Sequence, residues 1–573
     1  MCSIILTART DGVIGLFTSP TDLMFQFERF RYDNQTLFQC VTENCALNVR
    51  QGQLKGYLCE SVLGTSYYSF KGIPFAAPPL GPLRFKDPEP PASWTGVRDA
   101  GNVEVNFCVQ LNEMLPNNII GSEDSLYLNV YTNSFTDNKA VIVFIHGGGF
   151  VQGSGTDKFN KPDYFMNKNI VFVTINYRLG VLGFFNLDDE VAAGNQGLKD
   201  QVAALKWVQE NISHFGGNAN NVTIFGNSAG AACVHLLTIS PMAKGLFHKA
   251  ICASGVATCP WSIGLSKPEN CIKLGQMLDF CDSKDPKKVV EFLRTVPAEE
   301  LIRAQFYMTE NVNDIPAGPV IDAKSKNPFL PRPLNELLKN DADIPMLIGY
   351  TNNEFIMFLK KNSDEDLKKM DQKMRYNIEQ LAISKEPEKI ERLMKDVRNH
   401  YFGNDKPISK EDIPSLINVM SDIYFCHPIN NIADDRRKRK CAPTYLYKFS
   451  YVGEETTINQ LLRQNEIRSE NLRYYPKGAS HADELSYLFY LPFCKVTNPL
   501  PPAKGTKDRD MIERLTYLWT NFAKTGNPTS SLNEYVNTTW TPVSKDTLTY
   551  LEIKDMVNCP FKDELAEMIK KHA

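Results

Sequence analysis

Two apolar patterns alternate along this chain. One consists of short unbroken runs: Ala140-Val-Ile-Val-Phe-Ile145, Ile170-Val-Phe-Val-Thr-Ile175, Asn221-Val-Thr-Ile-Phe225, Lys249-Ala-Ile-Cys-Ala-Ser254, Pro345-Met-Leu-Ile-Gly349 and Thr444-Tyr-Leu-Tyr-Lys-Phe449. Runs this short and this rich in β-branched residues suit strands buried on both faces, as in a parallel sheet covered by helices. The other pattern spaces apolar residues three and four apart, in Leu198–Val208 and Met511–Phe522, and predicts amphipathic helices. Ser125–Tyr131 alternates as a half-buried strand, Leu548–Glu552 reads as a last strand, and the Pro/Gly-rich Phe70–Pro79 reads as loop. No repeat interrupts the alternation. The chain therefore predicts an α/β fold with one large, mostly parallel central sheet flanked by helices. Residues 1–45 are weakly periodic and are expected to form an N-terminal extension of low order, with 46–573 a single domain.

Composition narrows the function. The 573 residues are 43% hydrophobic and 23% charged, with net charge -3, so no general field attracts nucleic acid or an anionic membrane. The basic run Arg436–Lys440 is expected in a solvated loop. No apolar run has the length of a membrane span. The start lacks both a basic n-region and a long apolar core, so the expected compartment is the cytoplasm, with secretion as the alternative. The fourteen cysteines form no close C-x-x-C pair, which leaves no metal or redox motif. Sequons at Asn34, Asn211, Asn221 and Asn537 are expected to be unmodified.

The chemistry gathers at Gly226-Asn-Ser-Ala-Gly230, where a buried strand meets a helix. Small neighbours let strand and helix close beside Ser228 and push its hydroxyl outward, while the helix aims free N–H groups at the site. The strand ending at Ile145 runs into His146-Gly-Gly-Gly-Phe150, bare backbone of the kind that binds a developing oxyanion. We assign its donors as the N–H groups of Gly148, Gly149 and Ala229. A serine needs a base beside it. Of the eight histidines, His235 and His248 suit packing or the surface, His146 belongs to the glycine loop, and His214 ends a helix. His481, in a loop late in the chain, fits the order Ser, acid, His. Glu354 follows the strand at 345–349 and is the leading acid; Asp341 and Asp343 precede that strand, at the wrong end of the sheet.

Together with Ser122-Glu-Asp-Ser-Leu-Tyr-Leu-Asn-Val-Tyr131, Asn195–Gln201, Phe215-Gly-Gly217 and Gly478-Ala-Ser-His-Ala-Asp-Glu484, these elements resemble the type-B carboxylesterase/cholinesterase family of the α/β-hydrolase fold. Within it they are most similar to insect carboxylesterases of the α-esterase branch. The resemblance runs from about 47 to 560 and implies a serine carboxylester hydrolase that needs no cofactor or metal. Ser228, Glu354 and His481 are its implied triad, and Trp261 and Phe358 line its pocket. It implies small ester substrates, broad in range, and the exposed nucleophile Ser228 adds organophosphates as expected covalent inhibitors. A selective juvenile hormone or odorant esterase is the alternative, and a non-catalytic adhesion-type relative a remote one.

The departures carry information as well. Asn227 stands where the family has glutamate, which weakens any preference for cations and adds Asn227 to the expected pocket. Phe355 replaces a glycine after the acid and narrows that pocket. No tryptophan lies between Val109 and Asp124, so choline esters are not expected substrates. Secreted members close a disulfide from near Cys108 to the position of Ser125, and another from Cys281 to near Phe292. Neither partner is a cysteine here, which argues for a reducing compartment.

Overall fold

Strands Lys139–Ile145 and Val171–Ile175 lie parallel and in register, each fully buried, as their unbroken apolar runs require. The structure, a computed structural model, describes residues 9–10, 13–14, 41–101, 107–112, 118–280, 284–308, 317–359, 363–456, 474–492, 495, 499–544 and 548–573. In chain order its principal strands are β1 (Val41–Val49), β2 (Gly52–Glu60), β3 (Ser66–Pro74), β4 (Val97–Asp99), β5 (Tyr127–Thr132), β6 (Lys139–Ile145), β7 (Val171–Ile175), β8 (Gly217–Asn227), β9 (Lys249–Ala253), β10 (Met346–Thr351), β11 (Thr444–Phe449), β12 (Thr549–Glu552) and β13 (Val557–Pro560). They form one 13-stranded sheet in the order β13-β12-β11-β10-β9-β8-β6-β7-β5-β3-β2-β1, with β4 added beside β2. From β7 to β12 the pairing is parallel; both flanks are antiparallel except that β4 lies parallel to β2.

The pleat of β6 sorts its side chains between two cores. Val141, Val143 and Ile145 join helices α1 (Gln196–Asn211) and α2 (Ala229–Ile239) on one face. Ile142 and Phe144 join Trp519 and Phe522 of helix α7 (Lys507–Thr525) on the other. Each such apolar side chain contributes roughly 1.5–3 kcal/mol by leaving water. A third core lies beyond the carboxyl ends of the parallel strands. There α3 (Asp364–Leu381), α4 (Pro387–Phe402), α5 (Ile413–Ser421), a π turn (Asp422–Cys426) and α8 (Glu564–Lys571) surround Phe355 and Leu359, while α6 (His427–Arg439), which continues from the π turn, gives Ile429, Ile432 and Ala433 to the first core.

Four expectations need revision. The basic run is the end of α6, and the Arg436 side chain is fully buried. Its guanidinium donates to Asp341, to the Ile344 carbonyl at 2.6 Å and to Thr444 Oγ1 at 3.0 Å. Arg437 and Lys438 pair with Asp434, and Arg439 with Asp435, so charges close in sequence neutralise one another. Phe70–Pro74 is not loop but the end of β3, and β13 is an additional strand at the sheet edge. β1 begins at Val41, ahead of the boundary set at 46, while most of the proposed extension lies outside the described residues. Asn34 and Cys281 also lie outside them. Asn211 is fully buried with its amide on the Trp207 carbonyl, and Asn221 donates to the Lys524 carbonyl.

Candidate active site

β8 and β9 end level and β10 runs two residues further: Asn227 pairs with Ala253, and Ala253 with Gly349. The residues that follow each end are therefore neighbours. Ser228 caps α2 at φ 57° and ψ -127°, a conformation costing a non-glycine residue about 1–3 kcal/mol. Its N–H is fixed on the Ala253 carbonyl at 2.8 Å, and its carbonyl takes the Ala232 N–H at 3.0 Å. The elbow closes because Gly230 has no side chain; a Cβ there would sit 2.1 Å from the Ile145 carbonyl oxygen.

The glycine loop touches this elbow directly. A Cβ on Gly147 would lie 2.6 Å from the Asn227 carbonyl oxygen and 3.1 Å from Ser228 Cβ. Gly148 and Gly149 follow with φ of 110° and 61°. Ala229 is the first residue of α2, so its N–H is one of the helix's unsatisfied donors. His146 anchors the loop from behind. Its ring stacks on Tyr177 at 4.5 Å, and its carbonyl accepts the Tyr177 hydroxyl at 3.0 Å. Burial pushes the imidazole down to about 4, which leaves it neutral.

Glu354 is completely buried and fully engaged. One carboxylate oxygen accepts the Thr351 N–H at 2.7 Å and the Ser254 hydroxyl at 2.6 Å. The other accepts His481 Nδ1 at 2.5 Å. A carboxylate only accepts, so Nδ1 carries the proton and the lone pair is on Nε2. That Nε2 is buried and has no hydrogen-bond partner among the described residues. Two backbone-linked contacts hold the loops together: Asn352 Oδ1 accepts the Ala479 N–H at 2.8 Å, and the Asn353 N–H donates to the Ala479 carbonyl at 3.0 Å.

Aromatic rings surround the imidazole. Phe358 lies 5.2 Å and Phe425 4.8 Å from it, ring to ring, and these two stack on each other. Trp261 packs on Phe425 at 5.6 Å, and its Cη2 would meet a Cβ on Gly255 at 3.0 Å; that same Cβ would meet the Ser228 carbonyl oxygen at 2.4 Å. Phe355 is buried against Tyr424 and Phe358. Asn227, 3% exposed, turns its amide to Glu484 at 3.5 Å. Glu484 also accepts the Tyr447 hydroxyl at 3.3 Å. Burial, and then the charge of Glu354, push the Glu484 carboxyl up to about 8.

The structure thus joins Glu354 to His481, presses the glycine loop on Ser228, and sets Phe358 and Trp261 in one aromatic wall. Sequence reasoning missed Ser254, Phe425 and Glu484. Ser254 carries a signal, since it follows a buried strand directly; Phe425 carries none, because its surroundings read as ordinary helix. No group of three or more His, Cys, Asp or Glu suited to a metal ion occurs among the described residues, nor any helix long and apolar enough to cross a membrane.

Chemistry placed at the carboxyl ends of parallel strands, around a strand-turn-helix serine, defines an α/β-hydrolase. The solved juvenile hormone esterase from Manduca sexta, with OTFP covalently attached, superposes with a TM-score of 0.79 and 28% identity over 92% of this chain and 98% of that one. The carboxylesterase family model matches residues 43–571, and the chain belongs to that family, whose members are carboxylic ester hydrolases. Esterase E4 of Myzus persicae is 36% identical over 87% of this chain and 89% of its own length. Cocaine esterase of Homo sapiens is 37% identical over 80% and 79%.

Proposed function

We propose that this enzyme cleaves carboxylic esters through an acyl-enzyme on Ser228 and accepts a broad range of lipophilic esters. The observation that carries the reading is His481: its Nδ1 is committed to Glu354 and its Nε2 lone pair is free. In the first step Nε2 takes the Ser228 proton while Oγ bonds to the ester carbonyl carbon, and the carbonyl electron pair becomes the oxyanion. The N–H groups of Gly148, Gly149 and Ala229 receive that charge, and Glu354 offsets the imidazolium. The carbon–oxygen bond to the alcohol then breaks as Nε2 returns the proton to the leaving oxygen. Water, deprotonated by the same nitrogen, releases the acid.

The wall of Trp261, Phe358 and Phe425 supports apolar substrates, and a neutral Asn227 supports uncharged ones. The test is kcat/KM on 1-naphthyl acetate, pheromone acetates and juvenile hormone. Comparable values support a broad enzyme. A preference of about a hundredfold or more for the hormone would favour the selective reading, to which the likeness to the Manduca sexta enzyme lends weight.

The same nucleophile makes organophosphates covalent inhibitors. Ser228 Oγ bonds to the phosphorus of diethyl 4-nitrophenyl phosphate and 4-nitrophenolate leaves. Intact mass should show one diethylphosphoryl group on wild type and none on Ser228→Ala; an unmodified wild type overturns it. We further propose a reducing compartment. Cys108 is a free thiol 2.9 Å from the Ser125 hydroxyl, and Phe292 packs on Phe280 at 5.0 Å. Recovery in the secreted fraction of the native source would refute this.

A further inference from the structure

Residues 413–439 form one helical rod with a single irregularity, the π turn at Asp422–Cys426. Pro428 explains it. Proline has no N–H to give the carbonyl four residues back, and its ring clashes with that carbonyl. The carbonyl concerned is that of Tyr424, and the helix widens there so that the His427 N–H reaches the Asp422 carbonyl instead. The freed Tyr424 oxygen accepts the Trp261 indole N–H at 3.0 Å. The next residue, Phe425, lies against His481. A π turn inside an α-helix is rare and is found mostly at functional sites.

The turn is braced from several elements. Ser421 Oγ accepts the Phe355 N–H at 3.0 Å from the loop carrying Glu354, and donates to the Ile417 carbonyl at 2.7 Å. Asn377 of α3 donates to the Tyr424 hydroxyl at 3.0 Å. Tyr401 of α4 donates its hydroxyl to Asp422 Oδ2 at 2.5 Å. Trp261 and Phe355 belong to the aromatic lining. Tyr401 stands behind the turn, among the residues of the helical core.

We propose that the Tyr401–Asp422 hydrogen bond is a positioning lock: it holds the π turn, hence Phe425, and so sets how long a hydrocarbon group fits beside His481. This deepens the proposed ester hydrolysis and rests on it. Without that donor, Asp422 loses its link to α4 and is left among Cys426, Asp563 and Lys448, and the turn relaxes towards solvent. Phe425 then withdraws from the imidazole and the space lengthens, while Ser228, His481 and Glu354 keep contacts that do not involve the turn.

The experiment compares kcat/KM on 4-nitrophenyl acetate and 4-nitrophenyl octanoate for wild type, Tyr401→Phe and Asp422→Asn. Tyr401→Phe should raise the octanoate-to-acetate ratio about fivefold or more, a modest share of what a pocket discriminates per methylene, with kcat on acetate within about twofold of wild type. Asp422→Asn keeps an oxygen for the Tyr401 hydroxyl and should leave the ratio within about twofold. A ratio in Tyr401→Phe that stays or falls, an equal loss on both esters, or an equal shift in Asp422→Asn overturns the lock. A wild type inert on both esters would instead sink the hydrolase reading. The lock would then be read from the binding of straight-chain alcohols, ethanol to octanol, to the same three proteins, with the long-chain gain expected only in Tyr401→Phe.

Discussion

Ser228, Ser254 and Glu354 leave the ends of three adjacent strands, and each is fixed by bonds to backbone or to its neighbour within that row. Phe425 and Tyr424 hang from a helical rod widened ahead of Pro428 and held by side chains of other helices and loops. One half of the site inherits its geometry from the sheet, where a shift of one atom would break many ladder bonds. The other half inherits it from a few side-chain contacts. The polar half is therefore the harder to move, and the apolar half is where substrate preference can change without disturbing the chemistry.

The largest effect should come from breaking the polar half. Ser228→Ala should lower kcat by ~10⁴-fold or more on every ester alike, with the unfolding midpoint in urea unchanged; His481→Ala should lower kcat as much but also lower the midpoint, because buried Glu354 loses a donor. A loss that depended on acyl length would contradict the division. Next is Arg436→Ala, at the amino ends of the parallel strands and away from the site. It leaves buried Asp341 with the longer Arg439 contact at 3.6 Å in place of its closest ion pair and should cost about 3–5 kcal/mol in urea unfolding, with little change in kcat per folded molecule. Ser254→Ala removes one hydrogen bond to a carboxylate, about 1.5–3 kcal/mol. It should lower kcat roughly tenfold or more with KM steady and chain-length preference unmoved. If preference moved, the two halves would be coupled through the Glu354 loop.

The most gradual effect is a pH trend. Glu484 has its folded value raised from 4.5 to about 8 by burial and by Glu354. Its stabilising proton is fully held below about pH 4.5 and lost as pH rises through 8, so it favours the folded state less and less across that window. Glu484→Gln cannot lose this proton. The stability of wild type relative to the variant should fall between pH 5 and 8 by up to about 1.4 kcal/mol per pH unit. Urea midpoints at pH 5, 6, 7 and 8 measure it, and a flat difference would mean that Glu484 is ionised throughout.

The sheet was legible because strands buried on both faces must be apolar throughout, as in Ala140–Ile145 and Thr444–Phe449. The candidate polar residues were legible because backbone close approach demands glycine at 147 and 230, and those glycines mark the spot. β13 was not, since an edge strand with exposed Val557 and Pro560 lacks any alternation. Arg436 was not, because a basic run reads as solvated unless the position of Asp341 is known. Phe425 was hidden for a different reason: its surroundings read as ordinary helix, and only packing shows that the rod widens there ahead of Pro428.

The contact between Gly147 and the Asn227 carbonyl has a further consequence. Main chain meets main chain there, so the fold itself sets where the loop's N–H groups lie, and no arriving molecule is needed to arrange them. Under the mechanism proposed above, an ester meets that loop ready-made, and its fit beside the aromatic wall decides whether it reacts.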